Sequence, residues 1–158
     1  MKRISLRYPL ESDLEIFFRH QLDEEANYMA AFTAKDPTDK EAFLEKWKKI
    51  LSRDATAVQT ILLDEDVAGS IGSYDLSGEL QVTYWIGREY WGQGITTRAL
   101  QAFLKMVNRR PVFGRVAFDN IGSRKVLEAC GFEVVDTGKW FANARGCEIE
   151  EIVFRLDE

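Results

Sequence analysis

Residues 83–100 read TYWIGREYWGQGITTRAL, a glycine-bearing turn set between a strand pattern and a helical pattern. Gly92 and Gly94 leave room for a ligand beside the backbone. The N–H groups from about Gly92 to Thr97 have no partner within the helix they begin. Such a helix start attracts anions through those amides and through a dipole equivalent to roughly half a positive charge. Phosphate is the natural guest; a tight turn that needs glycine only for its dihedral angles is the other reading. Two phosphate motifs are excluded. There is no GxxxxGK[ST], which argues against Walker-type nucleotide hydrolysis. The dinucleotide fingerprint needs a third glycine where Thr97 stands, and an acidic residue near the run Arg110-Pro111-Val112-Phe113.

Other reactive residue types are sparse. His20 is the only histidine, so a His-based metal triad is excluded and a Ser-His-Asp hydrolase would depend on this one residue. Its place after Phe17-Phe18-Arg19 suggests a surface or substrate-wall role. Cys130 and Cys147 lack metal-site spacing and are too few for a disulfide framework. No metal site is expected. Arg109, Arg110 and Arg115 form the only basic cluster; without interleaved aromatics they do not make a nucleic-acid surface. Trp47, Trp85, Trp91 and Trp140 read as core residues.

The elements that must position this loop follow from periodicity. Ile4, Leu6 and Tyr8 alternate with polar residues, a half-buried strand ended by Pro9. Ser12 with Glu15, and Thr38 with Glu41, read as capping boxes opening two helices. Their apolar stripes are Leu14, Phe17, Phe18 and Leu22, then Phe43, Trp47, Ile50 and Leu51. The stretch Glu24 to Asp36 between them has no decisive pattern. Thr56–Leu63 and Val67–Ser73 read as a hairpin turned at Asp64-Glu65-Asp66. Leu80–Ile86 is the strongest strand signal. Ile95, Ala99, Phe103 and Val107 give a long helix face, with Leu100 and Leu104 beside it. Val112–Phe118 is a strand, and Asn120 is a helix N-cap. That helix stops at Gly131, and Phe132–Val135 and Ile149–Leu156 are strands around a polar loop near Asn143–Gly146. The order β α α β β β α β α β β, with two late β-α-β crossovers, is an α/β (α+β) pattern.

The chain's 158 residues are expected to form a single domain over 1–158 with one sizeable core. A composition of 46% hydrophobic, 12% aromatic and 30% charged residues is ordinary globular content. No apolar run approaches the roughly 18 residues of a membrane span. Arg7, Glu11 and Asp13 interrupt any signal-peptide core. A reduced, cytoplasmic protein is expected. The net charge of −5 hides a segregation. Residues 11–66 carry 7 Lys and Arg against 14 Asp and Glu, residues 88–125 carry 8 against 2, and residues 126–158 carry 3 against 8. A basic middle between acidic ends suits an anion bound centrally with a cation beside it. A chance arrangement on a solvated surface is the other reading.

YWIGREYWGQGITTRAL followed by NIGSRKVLEACGF resembles the GNAT superfamily of acetyl-CoA-dependent N-acetyltransferases, in particular its RimJ/RimL-like branch. The likeness covers about residues 3–156. The family's loop pattern Gln/Arg-x-x-Gly-x-Gly/Ala appears here as Trp91-Gly92-Gln93-Gly94-Ile95-Thr96, with Thr96 departing from the small residue of the last position. The resemblance implies a mixed, mostly antiparallel central sheet of 6–7 strands flanked by about 4–5 helices. It implies a pyrophosphate held by Gly92, Gln93, Gly94, Ile95, Thr96 and Thr97. Tyr84, Trp85, Ile86 and Gly87 would lie on a strand that bulges and splays, with an amide near Ile86 polarising the thioester carbonyl. Asn120 would meet the pantetheine arm, and Arg98, Arg124 or Lys125 the CoA phosphates.

The same resemblance implies direct attack of an amine on acetyl-CoA in a ternary complex. The tyrosine that serves many relatives as acid is Leu127 here, which leaves Ser123 of the N-x-x-S run as the acid. A serine that only bonds the helix start is the alternative. The acidic position before the strand tyrosine is Gln81, so the base falls among Glu79, Glu148, Glu150 or an ordered water. Tyr28, Met29 and Phe32 would wall the acceptor, and Asp23, Glu24 and Glu25 would attract a cationic amine. The acceptor would be a protein N-terminus or a small-molecule amine, and the resemblance allows a homodimer. No nucleic acid, membrane or metal is implied. The rival reading is a non-catalytic acyl-CoA-binding or regulatory module on the same fold.

Overall fold

The structure, a computed structural model, describes residues 2–53 and 57–158. Seven strands form one sheet: β1 (Ile4–Arg7), β2 (Val58–Leu63), β3 (Asp66–Leu76), β4 (Glu79–Ile86), β5 (Val112–Ala117), β6 (Glu133–Ala142) and β7 (Cys147–Leu156). The helices are α1 (Glu11–Gln21), α2 (Glu24–Ala30), α3 (Lys40–Leu51), α4 (Ile95–Met106) and α5 (Ile121–Ala129). In space the strands run β1-β2-β3-β4-β5-β7-β6. All neighbours are antiparallel except β4 and β5. This is the mixed, mostly antiparallel sheet that the resemblance implies. Among the described residues no helix is long and apolar enough to cross a membrane.

The pleat sorts residues onto two faces. On one, Leu80, Val82 and Ile86 of β4, Val112 and Val116 of β5, and Ile152 and Phe154 of β7 pack against Ala99, Leu100 and Phe103 of α4 and Leu127 of α5. On the other, Phe17 of α1 and Phe43 and Trp47 of α3 close over Val58. The charges that sort least easily are paired. Asp13, 2% exposed, accepts from Arg7 Nη1 and Nη2 at 2.6 and 3.0 Å, from Thr60 Oγ1 at 2.7 Å and from the Leu10 N–H at 2.8 Å. Burial opposes ionisation there, yet these donors hold the Asp13 carboxyl below the usual range.

Both helix starts differ from the expected capping boxes. Leu10, extended after Pro9, is the N-cap of α1, and Asp13 rather than Glu15 reaches back to its N–H. Asp39 caps α3 by accepting from Ala42 N–H at 3.0 Å, because Thr38 is already bonded to Asp36. The undecided stretch holds α2, capped by Asp23. Thr56, expected to begin a strand, lies outside the described residues. β6 runs seven residues past the expected Val135, and it is exposed along nearly all its length.

The feature that makes a site is the seam between β4 and β5. Their pairing covers only Leu80↔Val112, Gln81↔Phe113 and Val82↔Gly114, after which the strands part. The expected splay is present and the expected bulge is not: β4 stays in unbroken register with β3 from Leu76↔Glu79 to Gly69↔Ile86.

Candidate active site

Gly94 is the N-cap of α4 at φ +74° and Gly92 sits at φ +75°, both in the left-handed region that favours glycine. No side chain caps α4, so the N–H groups of its first turn are open donors at the positive end of the dipole. They border a cavity of about 610 Å³ lined by Trp85, Ile86, Trp91, Gly92, Gly94, Ile95, Thr96, Thr97, Asn120 and Ser123, with Lys125 at its side. The Trp91 indole donates to Ile86 O at 3.0 Å and ties the loop to the end of β4.

Antiparallel pairs alternate between bonded and non-bonded. Gly87 N–H donates to Ala68 O at 2.9 Å, which makes Gly69↔Ile86 and Ile71↔Tyr84 non-bonded pairs. The N–H groups of Ile86 and Tyr84 therefore turn away from β3 towards β5, beyond the last residue that β5 pairs. Two backbone donors thus face the parting of the sheet.

Tyr84 OH and Ser123 Oγ share a hydrogen bond of 2.7 Å across the cavity. Burial pushes the Tyr84 phenol up to about 12 against the opposing pull of the Ser123 bond, so near neutral pH it holds its proton and can donate. The N–H of Ser123 is capped by Asn120 Oδ1 at 3.3 Å. The hydroxyl is engaged with Tyr84 rather than with the helix start.

A second cavity, about 410 Å³, meets the first at Ala30, Tyr84, Trp85, Asn120 and Ser123. Glu151 and Arg115 line it, joined at 3.0 Å, and Arg115 Nε also donates to Gln81 Oε1 at 3.2 Å. Asn27 Oδ1, Thr33 Oγ1 and Trp85 Nε1 in this lining are buried and have no hydrogen-bond partner among the described residues. The chamber continues into a groove of about 740 Å³ between α3 and the open face of β2–β4. His20 lines that groove with its ring against Gly87, where burial lowers its pKa despite nearby Glu89.

Several expected site residues are placed elsewhere. Gly87 lies under His20, Gln93 donates to Glu89 O, Arg124 to Phe118 O and Arg98 to Lys2 O; none of the four lines the first cavity. Of the three proposed phosphate cations, Lys125 alone does. Glu79, Glu148 and Glu150 are exposed and line neither cavity; the carboxylate in the chamber is Glu151. Asp23 and Glu25 are engaged by Arg88 and line neither cavity. Of the acceptor-wall residues, Phe32 lines the chamber, Met29 the first cavity, and Tyr28 is half-exposed beneath Arg145. Trp91 and Trp140 are exposed rather than core. The basic cluster disperses to Asp75 (Arg109), to Leu104 and Val107 carbonyls (Arg110) and to Glu151 (Arg115).

Sequence reasoning missed the Tyr84 phenol, Arg115 and Glu151. The signals were present: a tyrosine between core residues Val82 and Ile86 must find a partner for its hydroxyl, and Glu151 adjoins the buried run Ile152-Val153-Phe154.

The sheet is parted at its centre, with an uncapped helix start at the mouth of the parting. The family model described as the acetyltransferase (GNAT) domain matches residues 3–133, and the chain belongs to that family. Solved structures agree in fold. RimL, the ribosomal L7/L12 alpha-N-protein acetyltransferase in complex with coenzyme A, is 17% identical, with 98% of this chain and 93% of that one covered at a TM-score of 0.81. Mycobacterium smegmatis RimJ is 22% identical over 98% and 81%, with a TM-score of 0.75. The structure of yncA from Salmonella typhimurium with its cofactor acetyl-CoA is 13% identical over 98% and 93%, with a TM-score of 0.75. No curated protein matches the chain by sequence.

Proposed function

We propose that the chain transfers the acetyl group of acetyl-CoA to a primary amine, by direct attack within a ternary complex. The observation that carries this reading is the meeting of two cavities at the Tyr84–Ser123 pair. The first, along the Gly92–Thr97 loop and the free amides of β4, fits a pyrophosphate and an extended thioester arm. The second, polar and holding Glu151, fits an amine. Acetyl-CoA supplies the activated acyl group. Ile86 N–H draws charge onto the acyl oxygen, Ser123 Oγ gives a proton to the departing sulfur, and Tyr84 orients that hydroxyl. Glu151 receives the ammonium and the proton it sheds. Trp91 and the Asn120–Ser123 run, together with the solved RimL and RimJ folds, support a place in the RimJ/RimL-like branch.

A thermal melt with acetyl-CoA, free CoA and NAD tests the reading. Ligand at about 100 times its dissociation constant adds roughly 2.7 kcal/mol, which is about 5–10 °C for a domain of this size. A rise with acetyl-CoA and CoA but not NAD is expected. No rise at millimolar acetyl-CoA overturns the loop assignment. A rise without thiol release across an amine panel favours a non-catalytic acyl-CoA-binding module.

A further inference from the structure

The groove beyond the amine chamber has a charge at odds with the rest of the molecule. Lys46 lines both chamber and groove, Lys49 and Arg53 line the groove, and Glu45 is the one acid among its described lining residues. The chain as a whole is at −5. Lys46 and Lys49 are exposed, and neither has an ion pair among the described residues. Inward of them lie the unpartnered Asn27 Oδ1, Thr33 Oγ1 and Trp85 Nε1. Two acceptors, or a hydroxyl in that role, suit an ammonium, and an indole N–H suits a carbonyl or carboxylate further out.

Resting on the acetyl-transfer reading, we propose that the acceptor is the N-terminus of a peptide or protein whose first few residues include Asp or Glu. The amine enters the chamber, and the following residues lie along the groove, with their carboxylates beside Lys46, Lys49 and Arg53. An extended chain advances about 3.3 Å per residue, and a groove of about 740 Å³ outside a chamber of about 410 Å³ holds several residues beyond the amine. A polyamine or aminoglycoside would instead bring cations against the lysines. A free acidic amino acid shares the charge but leaves the groove empty.

Calorimetric titration of the CoA-saturated protein with the peptides SDEEA and SKRKA, free glutamate and spermidine tests this, with thiol release from acetyl-CoA read in parallel. Each exposed charge pair is worth roughly two- to fivefold, so SDEEA is expected to bind about tenfold tighter than SKRKA and more weakly as salt rises. The double variant Lys46→Glu, Lys49→Glu is expected to reverse the order. Equal binding of the two peptides, preference for SKRKA or spermidine, or an order unchanged in the variant overturns the proposal. Glutamate binding as tightly as SDEEA overturns the peptide assignment. Preferred binding of SDEEA without thiol release upholds the groove assignment and sinks the acetyl-transfer reading instead.

Discussion

Replacing Asp13 by Asn keeps the shape of the side chain and removes its charge. The carboxylate's Oδ2 accepts three donors and Oδ1 a fourth, two of them from Arg7. If the amide oxygen keeps the crowded position, the amide nitrogen faces an Arg7 nitrogen and one bond becomes donor against donor. The bonds from Leu10 N–H and Thr60 Oγ1 lose their charge assistance, and the remaining Arg7 bond keeps only that of the guanidinium, a bond to a charged group being worth about 1.5–3 kcal/mol. Breaking a buried pair costs about 3–5 kcal/mol. Arg7 is 32% exposed and is partly rehydrated in compensation, so we discount to about 2–3 kcal/mol. That lowers the melting temperature by about 5–10 °C. The folded-state pKa of Asp13 lies below its unfolded value, so its contribution is complete above the ordinary carboxylate range and is lost as pH falls through the folded value. Melts followed by circular dichroism should show a constant gap between wild type and variant above about pH 5, narrowing below about pH 4. A gap under 1 °C at pH 7, or one that persists undiminished at pH 3, refutes the argument.

Tyr84→Phe deletes the phenol that holds Ser123 Oγ and should lower kcat roughly tenfold, and Ser123→Ala roughly a hundredfold, within the span of general acid catalysis. KM for acetyl-CoA should stay within about twofold in both, and unchanged turnover in Ser123→Ala removes it as the acid. Gly87→Ala would set a methyl group 2.6 Å from His20 Nε2. Such overpacking costs about 1–3 kcal/mol, read from denaturant midpoints, and adding His20→Ala should recover most of it; a neutral Gly87→Ala would mean that the ring moves aside freely.

What could be read along the chain was whatever depends on near neighbours. β4, α4 and the two left-handed glycines stand out because apolar spacing and φ > 0 are local demands. The start of α1 was misjudged by two residues because Pro9 makes Leu10 the N-cap and Asp13 its partner. α2 has only seven residues, with two of them, Ala26 and Asn27, buried, too short a stripe to show a period. β6 was cut short because an edge strand with Val134, Val135, Trp140 and Phe141 all exposed has no buried face to impose alternation. The site's decisive pairs join residues 39 apart (Tyr84, Ser123) and 36 apart (Arg115, Glu151), and no spacing rule links them before the sheet brings them together.

The short seam between β4 and β5 also governs traffic. Because the strands part rather than curl, the opening passes through the sheet, with α4 and α5 on one side and α1 and α3 on the other. The molecule is a conduit with two doors, not a pouch with one. On the acetyl-transfer reading each reactant has its own corridor, and α3 lines only the one made of chamber and groove. Substitutions on α3 can therefore retune one door while the other keeps its fit.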